Sequence, residues 1–370
     1  MSKEIISIIL PTYNEAENLP IIIPRIFNIL EKARIGAEVI VIDDNSPDGT
    51  AEIAKKFSNK YPVKVHIRKN KRGLGTAILM GLQMTRGEIC VVMDADLSHP
   101  VEAIPDMLKP IIEKKADVTL GSRYIKGGGF QDSSFIRKTI SKVAGLLARG
   151  ITTATDPTGG FMAIRKSILK DTNLNPISWK LPLEIIVKSR PRVVEVPIIF
   201  TTRQKGRSKL NLKVGLKYLQ HLFNLHCYKF PTIFEFFKFC LVGLVSLLID
   251  TAVLISCVEL LFLDPRLSAV FAFIVAATVN YFLNLFWTFK IGKFTIFRYS
   301  YPTFILVRLL GLCIRISTMH ILIEYTGMGK GHLYILASLI GIFVAAIFNF
   351  LGSKHIAFSK LFLRSSKIKE

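Results

Sequence analysis

Cysteine is scarce in this sequence and poorly spaced for its usual structural tasks. There are five among 370 residues, none form a CxxC pair, and Cys240, Cys257 and Cys313 lie inside apolar runs. Packed thiols are expected there, which excludes a disulfide framework and a zinc site. The N-terminus, MSKEIISIILPTYNE, lacks a charged region followed by an apolar stretch and a small-residue cleavage site. No signal peptide is expected, and this end is expected to stay in the cytoplasm. Acidic residues are also in short supply, 27 against 49 lysines and arginines, for a formal net charge of +22. Such an excess calls for an anionic partner: nucleic acid, anionic lipid or a phosphorylated substrate. Nucleic acid is set aside, because the C-terminal part is too apolar to sit anywhere but a membrane.

The length suggests about two to three domains, and the composition changes near Phe230–Pro231. Before that point, strand-length apolar runs alternate with helical patterns. ISIILPTY, EVIVIDD, VKVHIRK, EICVVMDAD and DVTLGSRY are the strands, with helices expected from about Glu17, Thr50, Gly75 and Val101. Continuous Val/Ile runs between helices mark a mostly parallel sheet covered on both faces. Ligands of such sheets bind at the carboxyl ends of the strands. The acidic and turn residues collect there, in PTYNE, DDNSPDGT, DADLSHP and GSRY.

Beyond Pro231, four apolar segments appear at roughly 236–263, 267–289, 302–325 and 332–353. Each is long enough to cross about 30 Å of hydrocarbon as a helix. Loop FLDPRL has one basic residue, KIGKFTIFRYS three, YTGMGKGH one and the tail KHIAFSKLFLRSSKIKE five. That bias predicts a multi-pass cell-membrane protein with the N-terminal domain, the central loop and both termini cytoplasmic. Between the two parts, Leu212, Leu216, Leu219 and Phe223 recur at helical spacing, with Lys213, Lys217 and His221 on a neighbouring face. A basic amphipathic helix just before a span reads as interfacial. The expected organisation is therefore a catalytic domain over 1–209, an interfacial helix over 210–230 and an all-α four-helix transmembrane domain over 231–370. A homo-oligomer formed through the membrane part is left open.

The stretch VVMDADLSHP runs a buried strand straight into two aspartates, Asp94 and Asp96. Such a pair facing a crevice suits a hard divalent cation, Mg²⁺ or Mn²⁺, held by one or two carboxylates plus substrate phosphates. A lone DxD is equally a pair of turn aspartates before the next helix. A nicotinamide-binding fold is excluded, because no GxGxxG follows the first strand; GLGTA at 73–77 is expected as a tight turn into a helix.

The ordered set PTYNE, DDNSPDGT, DAD and GSRY resembles glycosyltransferase family 2, the nucleotide-sugar transferases of the GT-A fold. Together with GSRYIKGG, DPTGGFMAIRK and RQKGRSKL it is similar to the polyprenyl-phosphate mannose synthases, over residues 5 to about 215. The membrane part, through KFCLVGLVSLLID and NYFLNLFWTF, resembles the GtrA-type four-helix domain. NFLGSKHIAF at 349–358 echoes the second of these and hints at an internal two-helix repeat. A processive polysaccharide synthase would carry QxxRW, which is absent.

The resemblance implies a GT-A nucleotide-sugar-binding domain that transfers mannose from GDP-mannose to dolichyl phosphate, with inversion. It implies that Pro11, Tyr13 and Glu15 line the guanosine and ribose, and that Ile42 and Asp44 finish the nucleobase pocket. Asp94 and Asp96 would hold the cation, and Ala95 would let the backbone approach the ribose. Relatives often place Gln two residues after the second aspartate as a further ligand; this chain has Ser98. Val196 would end a late strand near the nucleotide, and Arg203 and Lys209 would neutralise the diphosphate. Arg123, Arg137 and Ser141 are the expected ligands of the acceptor phosphate, with Arg123 also at the donor. Glu184 is either a catalytic base or sugar-binding acid, or an N-terminal helix charge. UDP-glucose as donor, and glycolipid translocation by the GtrA-like part, remain alternatives.

Overall fold

The computed structural model describes residues 5–70, 73–131, 135–175, 177, 180–201, 212–291, 297–328 and 333–359. Two compact units meet at Lys229 and Phe230.

In the first unit, β1 (Ile6–Thr12), α1 (Leu19–Lys32), β2 (Ala37–Asp43), α2 (Thr50–Phe57), β3 (Val63–Ile67), α3 (Leu74–Met84) and β4 (Ile89–Val92) alternate as the apolar runs predict. A short 3-10 turn leads into α4 (Ile104–Ile112), followed by β5 (Val118–Ser122), β6 (Gly129–Phe130) and α5 (Phe135–Ala148). Then come β7 (Met162–Arg165), α6 (Leu181–Ser189), β8 (Val193–Pro197), β9 (Ile199–Phe200) and α7 (Leu212–Lys229).

The main sheet has the order β3-β2-β1-β4-β7-β5-β8, and β6 and β9 form a two-stranded ribbon. All pairings in the main sheet are parallel except those of β7, which runs antiparallel to both β4 and β5. Side chains alternate across a strand. In β1, Ile6, Ile8 and Leu10 therefore enter the core under α1 and α4, while Ile9 joins the opposite core with Ile78, Leu82 and Ile185. Both faces are covered, so every residue of β1 is buried. α3 lies so close that a Cβ on Gly81 would sit 2.5 Å from Ile9 Cγ2.

On α7, Tyr218, His221, Leu222 and Leu225 are buried, whereas Leu216, Leu219 and Phe223 are exposed. The three described residues of the expected apolar stripe are thus outward; the Leu212 side chain lies outside the described residues. His221, expected on the neighbouring basic face, is buried. Tyr218 donates to Ala144 O of α5 at 2.7 Å, and Lys229 to Ile151 O at 2.9 Å. α5 also exposes Phe135, Ile140, Val143, Leu146 and Leu147.

The second unit holds α8 (Pro231–Glu259), α9 (Pro265–Leu283), α10 (Phe297–Thr326) and α11 (Leu333–Gly352). Four of its helical stretches are long and apolar enough to cross a membrane. α9 and α11 each run on into a π-helical segment, Asn284–Thr288 and Ser353–Ala357. The repeat hinted at by the sequence has structural counterparts. Asn280 on α9 donates to Ser246 Oγ of α8 at 2.6 Å. At the matching place, Asn349 on α11 faces Gly311 of α10, where a Cβ would fall 2.1 Å from Asn349 Oδ1. Phe239 of α8 packs on Phe289 and on Phe350, at 6.5 and 5.7 Å between centroids. Its counterpart Phe304 of α10 packs on Phe358 and on Tyr281, at 5.8 and 5.6 Å. Each half thus lends an aromatic ring to the other. Arg308, which stands where the first half has Gly243, donates to Asn280 and lies over Phe239 and Phe304 at 5.5 and 5.0 Å.

Candidate active site

A crevice belongs where the strand order turns, with β2 and β3 on one side of β1 and β4 on the other. At the three ends flanking it the chain passes through left-handed residues: Asn14 (φ 60°), Asn45 (φ 56°) and Leu97 (φ 61°). Asparagine tolerates that region; leucine is strained there, and such strain collects at functional sites.

The loops after β1 and β2 are stitched together. Asp43 accepts from Thr12 Oγ1 at 3.0 Å and from the Ser46 hydroxyl and amide at 2.6 and 2.8 Å. Asp48 accepts from Ala16 N at 3.1 Å and from the Thr50 hydroxyl at 2.5 Å. Burial alone would raise the Asp48 carboxyl, but these bonds hold it below its ordinary range. Thr50 Oγ1 in turn accepts from Glu15 N at 2.9 Å. Tyr13 and Glu15 are left half-buried at the β1 end. Pro11 is buried in β1, in register with Ile42.

Two further expected pocket residues, Ile42 and Asp44, lie at the β2 end. The Ile42 side chain is fully buried with Ile40 and Ala77, so it is a core residue between sheet and α3. Asp44 is committed to Arg68, whose Nε reaches it at 2.7 Å, and to Gly73 N at 2.8 Å. Arg68 also donates to Thr76 Oγ1 at 2.8 Å, which ties the β3 end to α3. Gly73 has φ 139°, open to glycine, and is the N-cap of α3, so the entry into the helix that the sequence suggests falls on this one residue while Leu74–Ala77 already form the first turn.

At the β4 end, Asp94 is half-buried, and its amide donates to His99 Nδ1 at 3.1 Å. Burial pushes the His99 imidazole below its usual range, which suits that acceptor role. Ala95 points into the core, and Asp96 is 2% exposed. Ser98 is fully buried and donates to Asp96 Oδ1 through its hydroxyl at 2.5 Å and its amide at 3.1 Å. Ser98, expected as a third ligand, is thereby a partner that orients Asp96. Opposite Asp94 lies Gly160, where a Cβ would sit 3.6 and 3.8 Å from the two carboxylate oxygens.

At the β5 end, Arg123 is held by Asp156 from Nε at 2.7 Å, from Nη2 at 2.8 Å and from its amide at 3.1 Å. Tyr124, Phe130 and Phe200 surround its guanidinium at 5.6, 5.0 and 5.4 Å. Burial would raise the Asp156 carboxyl, yet Arg123 holds it below the usual carboxylate range. The arginine expected to grip the acceptor phosphate is thus already paired, and it orders the loop after Asp156. Asp156, His99 and Lys180 are members of this cluster that sequence reasoning missed. DPTGG was visible as a motif, but nothing in it pointed to Arg123.

Glu184 accepts from Asn175 N and from Lys188 Nζ, both at 2.7 Å. Its described hydrogen-bond partners belong to α6 and the segment before it, and His221 of α7 is an electrostatic neighbour; none lies at the strand ends, which favours the helix-charge reading. Val196 lies on β8, the edge strand, separated from β1 by β4, β7 and β5. Ser141 is half-buried on α5; the Arg137 side chain, Arg203 and Lys209 lie outside the described residues.

Among the described residues, no cluster of three His, Cys, Asp or Glu could hold a metal. Asp94 and Asp96, the carboxylates expected to hold a cation, are two oxygen donors, and a hard cation so held takes the rest of its shell from substrate phosphates and water.

The model of the family "Glycosyl transferase family 2" matches residues 7–172, and that of the "GtrA/DPMS, transmembrane domain" matches 238–358. A dolichol-phosphate mannosyltransferase of Pyrococcus furiosus is 36% identical over 360 residues, 96% of this chain and 99% of that protein. The Saccharomyces cerevisiae enzyme of the same name is 37% identical over 236 residues, 60% of this chain and 88% of its own. A glucosyl-3-phosphoglycerate synthase from Mycobacterium tuberculosis, solved with Mn²⁺ and UDP-glucose, is 19% identical with a TM-score of 0.47, covering 60% of this chain and 78% of that one. A likeness that distant places no residue here.

The sheet, the apolar helices and the family matches define a membrane-bound glycosyltransferase. Within that class, the chain belongs to the dolichol-phosphate mannosyltransferase family, in the form that carries a GtrA/DPMS transmembrane domain.

Proposed function

We propose that this protein transfers mannose from GDP-mannose to dolichyl phosphate, giving dolichyl β-D-mannosyl phosphate and GDP. The observation that carries the reading is end-to-end similarity to a dolichol-phosphate mannosyltransferase across both units. The half-buried Tyr13 and Glu15 fit the guanosine and ribose, with Pro11 beneath them. Asp94 and Asp96 would hold Mg²⁺ or Mn²⁺, with Ser98 steering Asp96. When bound, the cation offsets charge on the departing diphosphate. Arg203 and Lys209 remain the proposed cationic partners of that diphosphate.

With Arg123 committed to Asp156, recognition of the acceptor phosphate falls to Arg137 and Ser141 of α5. Their four-residue separation puts them on one helix face, and an arginine fork matches phosphate oxygens. The acceptor phosphate is already largely ionised, its second pKa being about 6. It attacks the anomeric carbon without a strong base, and one in-line displacement inverts the sugar. The exposed apolar side chains of α5 and α7 suit helices lying on the bilayer surface, where that phosphate sits. The basic loops favour a cytoplasmic catalytic unit.

The test is transfer by detergent-solubilised protein with GDP-mannose or UDP-glucose as donor. Turnover with GDP-mannose at least tenfold above UDP-glucose is expected; the reverse ranking would sink the reading. Arg137→Ala should raise KM for the lipid phosphate at least tenfold and KM for GDP-mannose less than threefold. Steady-state kinetics with each substrate varied in turn checks this. Equal effects on both would mean a general defect rather than a lost phosphate contact.

A further inference from the structure

Between the two residues Asp96 and Ser98, Leu97 has φ 61°, a region that is costly for leucine. Its side chain is buried and packs in the core that holds β1 against α1. Such a conformation persists only where its surroundings over-determine it.

The peptide plane between Leu97 and Ser98 shows what holds it. At one edge its N–H, on Ser98, donates to Asp96 Oδ1 at 3.1 Å. At the other edge its carbonyl, on Leu97, accepts from Thr201 Oγ1 at 3.1 Å. A trans peptide is planar, with its C=O and N–H pointing opposite ways. Tilting the carbonyl therefore tilts the amide that Asp96 accepts. Thr201 also donates its own N–H to Ser98 O at 3.1 Å. It stands 104 residues beyond Leu97, half-buried just after β9. Its neighbour Phe200 packs edge-on against His99 at 5.6 Å, and His99 Nδ1 accepts from the Asp94 amide at 3.1 Å. The end of β9 thus grips the turn on both sides of Ser98.

We propose that Thr201 is a positioning residue for the strand-end carboxylates: its hydroxyl holds the Leu97–Ser98 peptide in the left-handed turn that aims Asp96. This rests on reading Asp94 and Asp96 as the cation site. Hydrogen bonds in a row polarise one another, so the bond from Thr201 strengthens the one that Asp96 receives. Without the hydroxyl, Leu97 is free to leave its strained region and the Asp96 carboxylate loses its fixed direction. The defect falls on cation affinity. A bound cation re-imposes the direction of its ligand, so turnover recovers once the cation saturates.

Glycine separates positioning from general support. It adopts positive φ without steric cost. In Leu97→Gly the turn carries no such strain, and the Thr201 hydroxyl should cease to matter for the cation. A merely structural threonine would act alike in both backgrounds.

The experiment uses full-length protein in detergent with saturating GDP. Mn²⁺ binding is measured by electron paramagnetic resonance, alongside kcat as Mn²⁺ is varied. Thr201→Val, which keeps the shape and removes the hydroxyl, is expected to weaken Mn²⁺ binding at least threefold, with kcat at saturating Mn²⁺ within threefold of wild type. Thr201→Ser, which keeps the hydroxyl, should hold the Mn²⁺ dissociation constant within twofold. Added to Leu97→Gly, Thr201→Val should weaken Mn²⁺ less than twofold. Leu97→Asn replaces the glycine variant if that one does not fold, since asparagine also tolerates the left-handed region. A loss below threefold on wild type, a loss of twofold or more on Leu97→Gly, or failure of serine to keep the affinity overturns the proposal. Asp96→Asn is the control: if it binds Mn²⁺ like wild type, the cation reading of the aspartates fails first. If it weakens Mn²⁺ and Thr201→Val does not, that reading stands and only the role of Thr201 falls.

Discussion

Asp96→Asn should lower kcat by about 10²–10³-fold at saturating cation while leaving the fold intact, the loss seen when one preorganised electrostatic contact to a transition state is removed. The substitution is chosen for what it keeps. Asp96 Oδ1 accepts from both the amide and the hydroxyl of Ser98. An asparagine oxygen can accept the same two bonds, so the side chain stays oriented in its buried seat. What disappears is the negative charge. Parallel measurements of kcat across a cation titration and of thermal unfolding separate the two effects. A variant that melts near wild type but has lost its turnover fits the cation role. Retention of more than a third of wild-type kcat would rule that role out.

The second large effect is on stability. Asp156→Ala should destabilise the first unit by about 3–5 kcal/mol, the usual cost of stripping one partner from a buried ion pair. Asp156 is fully buried and the Arg123 side chain is 11% exposed, so solvent screens the pair little. The arginine would be left among Tyr124, Phe130 and Phe200 without its carboxylate. The native Asp156 carboxyl lies below its ordinary value, mainly through Arg123 acting against burial. Its contribution is therefore complete above the unfolded value of about 3.9 and is lost as pH falls through the lower folded value. Thermal unfolding of wild type and variant from neutral to strongly acidic pH tests both parts. The gap between the two should be widest near neutrality and should narrow below about pH 4. A constant gap would mean that the ion pair is not its source.

What could be read in the sequence follows from which forces are local. Strands β1, β2, β4 and β5 were legible because both faces of the sheet are covered, which leaves uninterrupted Val and Ile runs. Asp94 and Asp96 stood out because charge directly after such a run is conspicuous. β7 was not legible. It has four residues, MAIR, and owes its existence to pairing with β4 and β5 rather than to any pattern of its own. Its insertion between those strands separates the Asp94 strand from the Arg123 strand. The residue that holds Arg123 in place, Asp156, comes from a loop that only the fold brings near. Ile42 and Asp44 were identified as strand-end residues, but periodicity could not say that one faces the core and the other an arginine.

The exchange of rings between the halves of the second unit bears on how that unit is completed during synthesis. The α8–α9 hairpin is built from neighbouring stretches of chain, and short-range closure is fast and costs little entropy. Yet Phe239 finds Phe350 only on α11, and Tyr281 finds Phe304 only on α10. Each hairpin emerges with an unfilled aromatic seat that its sister must occupy. A ribosome stalled after α10 would leave Phe304 resting on Tyr281 while Phe239 still waited for its ring. The ring contacts between the halves are complete only with α11 in place.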